Sequence, residues 1–143
     1  MLKYKVLDNV AIADIAFECY GKDLNELFEN SAFAIFEETT DLSKVEEKET
    51  KQIKLESDKI DKLLYDFLSE ILYIKDTDSF LFKNSKVKIE EKGNKFSLEA
   101  NLSGESIDRE KHEMRNDIKA ITLHMFKVEK TKEGYKSVIV VDV

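Results

Sequence analysis

Between Asp14 and Tyr20 the chain alternates, with Ile15, Phe17 and Cys19 on one face and Asp14, Ala16 and Glu18 on the other. A period of two predicts a half-buried strand. The strand stops at Tyr20-Gly21, and the period then changes. Leu24, Leu27, Phe28, Ser31, Ala32, Ile35 and Phe36 recur at helical spacing, which predicts an amphipathic helix over 24–37. Asp23 stands where an N-cap is needed, with Glu26 three residues on. Lys51–Leu55 reads as a short strand. A second helix, opening at Ser57 or Asp58 and running to 73, carries Ile60, Leu63, Leu64, Phe67, Leu68, Ile71 and Leu72 on one face.

From Phe80 the period returns to two, through Phe82, Val87 and Ile89 to a turn at Lys92-Gly93-Asn94 and on through Phe96, Leu98 and Ala100. Lys119–Lys130 reads as a further strand, and Lys132-Glu133-Gly134 turns it into a terminal strand over 135–143. Two one-sided helices need a surface to cover their apolar stripes. The fold class is therefore α+β, with two helices packed on one face of a mostly antiparallel sheet of six or seven strands. Leu27, Phe28, Leu64, Phe67 and Ile71 are the expected core.

A chain of 143 residues with no repeat or linker is expected to form a single domain over 1–143. Its net charge of -7, with no long basic cluster, argues against strong direct nucleic acid binding and favours a basic protein partner or a cation. The start of the sequence shows no signal-peptide pattern, and no stretch reaches the roughly 18 apolar residues of a membrane span. The one cysteine, Cys19, sits on the apolar phase of its strand, as a buried thiol would. A cytoplasmic location without membrane contact is the expectation. Proline is absent and Lys and Glu dominate the surface, a composition that leans towards thermophiles and that AT-rich coding also produces. The Glu46–Lys51 charge run reads as a solvated loop or edge.

No phosphate loop, dinucleotide fingerprint, nucleophile elbow or zinc-protease helix is present. Two histidines, His112 and His124, leave little for a transition-metal site. Ser103 and Ser106 lie near His112 without the spacing of a triad. Asp14 and Asp142 are charges set among apolar strand residues, each either at a strand end in water or held by a partner. Together with the carboxylate of Val143 they are hard oxygen donors, suited to calcium, magnesium or manganese. Spacing alone does not bring Asp14 and Asp142 together.

Several motifs then line up in order. They are Asp14-Ile15-Ala16-Phe17 running into Tyr20-Gly21, Leu24-x-Glu26-Leu27-Phe28, and Leu63-Leu64-x-x-Phe67-Leu68-x-Glu70-Ile71-Leu72. Gly104-Glu105-x-x-Asp108-x-x-Lys111-His112, Ile118-Lys119-Ala120-Ile121-Thr122-x-His124 and the Asp142-Val143 ending follow. Over nearly its whole length the chain resembles the archease family, accessory activators of the RtcB-type RNA-splicing ligase. The resemblance implies that Asp14, Asp142 and the Val143 carboxylate bind a divalent metal ion, calcium foremost. It also implies that Lys111 and His112 face the working surface, an exposed pair acting on the partner. The partner implied is an RtcB-type RNA ligase, helped to take guanylate from GTP in tRNA splicing, with no covalent chemistry in the accessory itself.

One departure stands out: archease-like sequences carry Glu-His-Thr-Ala before the aspartate matching Asp14, where this chain has Val10-Ala11-Ile12-Ala13, with Asp8-Asn9 nearby. Two other readings remain. One is a small metal-dependent hydrolase using His112 as general base. The other is a metal-free, chaperone-like interaction module.

Overall fold

The computed structural model describes residues 2–7 and 14–143. Its elements are β1 (Tyr4–Leu7), β2 (Asp14–Gly21), α1 (Leu24–Thr39), β3 (Glu49–Ser57), α2 (Ile60–Asp78), β4 (Phe80–Lys92), β5 (Lys95–Ser106), β6 (Ala120–Thr131) and β7 (Gly134–Asp142). A 3₁₀ turn at Leu42–Lys44 lies between α1 and β3. The α+β class stands, with two helices and antiparallel pairing throughout the described strands. The strands divide between two sheets, however, where the sequence suggested one. Their orders are β1-β2-β7-β6 and β3-β5-β4.

The division follows from how the helices are buried. Each touches both sheets: α1 lies against β2 and β4, and α2 against β3 and β6. One core therefore takes Phe17 and Ile139 from the first sheet and Ile53, Leu98 and Leu102 from the second. A helix covered on one side buries a single stripe. Helix α1 buries Asn30, Ser31 and Ala34 in addition to Leu27, Phe28, Ala32, Ile35 and Phe36, because it is covered from two directions. Leu27, Phe28, Leu64, Phe67 and Ile71 are all core residues, as expected.

Local chemistry sets most element ends. The Asp23 carboxylate accepts the Glu26 N–H at 2.8 Å, so the predicted cap is formed. Glu26 reaches back to the Lys22 N–H at 3.0 Å. Helix α2 differs from expectation at its start. Ser57 pairs opposite Phe96 as the last residue of β3, and the helix begins at Ile60 behind Lys59, whose side chain makes no capping bond. It also runs on to Asp78, because Lys75 is buried and its ammonium donates to the Ile118 carbonyl at 3.1 Å. The Gly93-Asn94 turn closes β4 onto β5 with Lys92 opposite Lys95, Gly93 having a φ of 62°.

Edge strand β4 is protected by α1. The Glu29 carboxylate accepts the Val87 N–H and the Asn25 side-chain oxygen accepts the Ile89 N–H, each at 2.9 Å. Cys19 is fully buried opposite Ser137, and burial pushes its thiol up to about 12 despite hydrogen bonds to Ser137 and Ser31. It is an inert core residue. No helix among the described residues is long and apolar enough to cross a membrane.

Candidate functional site

Strands β2 and β7 come from opposite ends of the chain and pair antiparallel, with Asp14 directly opposite Asp142. Directly opposed residues project to the same face, with Cβ atoms roughly 4.5–5.5 Å apart, where like charges repel. Both aspartates are half-buried, and among the described residues neither takes part in an ion pair. The Asp142 carbonyl accepts the Lys119 N–H at 2.8 Å, which ties β7 to the segment entering β6. Two uncompensated carboxylates in register fit a hard divalent cation as donors. Among the described residues no group of three His, Cys, Asp or Glu side chains converges, so side chains alone supply two of the several oxygens such an ion takes. Residues 8–13, including the Val10-Ala11-Ile12-Ala13 departure and Asp8-Asn9, lie outside the described residues.

A strap over residues 107–119 joins β5 to β6 and leads back to Asp142. Its first amide, at Ile107, donates to the Ser79 carbonyl at 2.7 Å. Further along it adds to the C-terminal cap of α1, where the Thr40 N–H already donates to the Phe36 carbonyl and no basic residue stands in the last turn. The Arg115 and Asn116 amides donate to the Thr39 and Glu38 carbonyls, and the Arg115 guanidinium donates to the Glu37 carbonyl at 2.9 Å. Donors and positive charge at a helix C-terminus satisfy orphan carbonyls and oppose the dipole.

Within the strap, Asp108 to His112 forms one tight turn. The His112 N–H donates to the Asp108 carbonyl at 2.7 Å, and the His112 ring Nδ1 accepts the Asp108 N–H at 2.9 Å. Because Nδ1 accepts, Nε2 carries the ring proton, and it faces a Glu105 carboxylate oxygen at 3.2 Å. Glu105 is itself buried. It accepts the Lys111 ammonium at 2.8 and 3.0 Å and the Glu46 N–H at 2.6 Å. Burial alone would raise the Glu105 carboxyl; Lys111, the Glu46 amide and His112 outweigh it and bring the group down to about 2.

These contacts correct two expectations. His112 is not exposed: only 4% of its surface is accessible, and both ring nitrogens are engaged. A charged, glycine-preceded loop suggested exposure, but the buried Glu105 carboxylate draws the ring inward. His112 has no free nitrogen to act as a general base, which removes the support for the hydrolase reading. Lys111 is half-buried and paired with Glu105, so it contributes to stability as well as to any surface role. Ser103 donates to the Glu47 carboxylate and not to His112. His124 is exposed on the stretch of β6 between Thr122 and Lys127, where the register with β7 shifts.

Glu105 is the buried centre of this cluster, and the sequence did not single it out. It stood in a noted motif, but only its contacts with Lys111 and His112 distinguish it from the many surface glutamates. Two expected results follow. His112→Ala should cost about 2 kcal/mol in urea unfolding, because it empties a buried ring position, removes one of the hydrogen bonds to Glu105 and leaves the Asp108 turn amide without its ring acceptor. Glu105 contributes stability that is fully present above the ordinary carboxylate pKa of about 4.3 and is lost as pH falls towards about 2. Stability measured from pH 6 down to pH 2.5 should therefore fall less steeply in Glu105→Gln than in the parent chain.

The Archease protein family model matches residues 4–143. Protein archease of Methanothermobacter thermautotrophicus is 46% identical over 116 residues, covering 81% of this chain and 82% of that protein. Protein archease of Pyrococcus abyssi is 41% identical over 122 residues, covering 85% and 86%. Protein archease of Sulfurisphaera tokodaii is 39% identical over 143 residues, covering all of both chains. These names are not names of enzymes. The solution structure of protein 1598 of Methanobacterium thermoautotrophicum matches with a TM-score of 0.87, 37% identity and 99% of each chain covered. A crystal structure of a Thermotoga maritima archease, described as a possible chaperone, matches with a TM-score of 0.61 and 23% identity over 93% of each chain, a likeness of fold alone.

Proposed function

The chain belongs to the archease family, and we propose that it is a metal-binding accessory protein that activates an RtcB-type RNA ligase in tRNA splicing. In this reading it promotes the guanylylation of the ligase from GTP, allows repeated turnover, and forms no bond itself. The observation that carries the metal half is the register of Asp14 against Asp142, two carboxylates on the same face of the β2–β7 pair, neither of them in an ion pair among the described residues. Asp14, Asp142 and the Val143 carboxylate would hold the ion, calcium first and magnesium or manganese otherwise, with water completing the shell. When bound, the ion supplies a fixed positive charge at the β2–β7 end of the sheet.

The chain's own residues orient that site. The Lys119 amide holds the Asp142 carbonyl, and the strap that carries Lys119 also carries Lys111. A metal site on β2 and β7, with a lysine on the strap that is pinned to it, suits the delivery of charge to another protein's active site. A cytoplasmic setting goes with the buried, unreactive Cys19 thiol.

The deciding experiment uses limiting ligase, radiolabelled GTP and a splicing substrate, with and without this protein. The expected result is faster labelling of the ligase and multiple turnover, with no label on the accessory. Unchanged ligase turnover at saturating accessory, or label on the accessory itself, would overturn the reading. A calorimetric titration with calcium, magnesium and manganese decides the metal half separately. No heat with any of the three would favour a metal-free interaction module, in line with the possible chaperone described for the Thermotoga maritima protein.

A further inference from the structure

Glu46 has a side chain 60% exposed, yet one of its oxygens is held between two ammonium groups. Its Oε2 lies 3.3 Å from Lys48 Nζ and 3.3 Å from Lys111 Nζ. Beneath them is the buried Glu105 carboxylate, 2.8 Å from Lys111 and 3.7 Å from Lys48. The Glu46 main chain is anchored separately, its N–H donating to Glu105 at 2.6 Å. The Glu46 side chain can therefore swing out while the floor beneath it stays intact.

We propose that Lys48 and Lys111, floored by Glu105, form a cradle for a single carboxylate of a partner protein, and that Glu46 is the chain's own placeholder in it. With Glu46 displaced, two ammonium groups face one carboxylate, leaving one net positive charge. That balance suits a monoanion, and the group already seated there is a carboxylate. Among the exposed charges next to Glu46, Lys48 and Lys111 in the chain, Glu47, Asp108, Glu110 and Glu113 outnumber Arg109, so the successive phosphates of a nucleic acid backbone would meet net repulsion. An isolated acidic side chain on an otherwise neutral or basic surface avoids that repulsion.

The cradle rests on the accessory reading only for the identity of its natural occupant. A tethered group competes as if present at high local concentration, in the millimolar range for short flexible links. Removing the Glu46 carboxylate should therefore open the cradle to an external one. The probes are N-acetyl-aspartate amide and dimethyl phosphate, titrated at constant ionic strength against the full chain and followed by the backbone amide signals of Glu46, Lys48, Glu105 and Lys111.

Glu46→Gln should bind the aspartate probe at least tenfold more tightly than the parent chain and prefer it to dimethyl phosphate. Adding Lys48→Ala, at an exposed position, should abolish that gain while the spectrum remains that of a folded protein. Equal aspartate binding by the parent and Glu46→Gln would overturn the proposal, as would tighter binding of dimethyl phosphate. No ligase is needed in this titration. Its failure alongside intact ligase activation would remove the cradle and leave the accessory reading standing, whereas failed activation alongside probe binding would do the reverse.

Discussion

Gly104→Ala should lose a large part of the stability of the fold. Gly104 is buried in β5, opposite Phe82 of β4 and Glu49 of β3. A Cβ added there would lie 1.9 Å from the Leu81 carbonyl oxygen and 2.8 Å from the Phe82 Cα. Those atoms are backbone, so no side-chain rotation relieves the clash. The crowding comes from the irregular register of β4 between Phe82 and Asn84, which brings its main chain over β5 at this point. The strand must separate locally or lose pairing, at a cost of at least about 3 kcal/mol, a large part of the stability of a typical domain.

The damage should also reach the candidate site. Glu105 follows directly in the chain, and the Gly104 carbonyl accepts the Lys48 N–H at 2.9 Å. Denaturant unfolding followed by circular dichroism is the measurement. A Gly104→Ala variant as stable as the parent chain would mean that β4 and β5 are not packed this closely.

The parts of this fold that were readable in the sequence are those fixed by near neighbours. The stripes of α1 and α2, the Asp23 cap and the Gly93-Asn94 turn each depend on residues within a few positions of one another. Sheet order does not. Nothing in the periods of β2 and β7 says that they pair, so before the structure the Asp14–Asp142 juxtaposition was implied only by the archease resemblance. The split into two sheets is likewise a property of how the helices are covered, and not of any strand.

Ser57 shows a local signal overruled: its hydroxyl and the following Asp58 resemble a helix start, yet β3 keeps Ser57 as its last paired residue. Strand β1, only four residues long with no clean alternation of burial, gave no periodic signal. His112 shows how composition misleads. A stretch rich in charge suggested water on all sides, but one buried carboxylate, Glu105, organises Lys111 and His112 into a paired knot. The residues of the motif were legible, and the direction in which they point was not.

Calcium affinity should fall at least tenfold in Asp14→Asn and in Asp142→Asn, because sites of this type depend on the number and charge of their oxygen donors. The two substitutions are isosteric and lie at half-buried ends of paired strands, so the ladder between β2 and β7 is expected to persist. Without metal, the opposed carboxylates repel one another, and converting either to an amide should leave stability unchanged or raise it by about 0.5 kcal/mol. That opposite sign separates loss of a ligand from loss of fold: binding weakens while thermal unfolding of the metal-free protein does not come earlier. If Val143 contributes its carboxylate, a short C-terminal extension, which makes that group an amide, should weaken binding in the same way while an N-terminal extension should not. Calorimetric titration of the parent, the two variants and the two extended forms gives the comparison. Equal calcium affinity in all five would leave Asp14 and Asp142 as a strained pair of strand-end charges with no ion to relieve them.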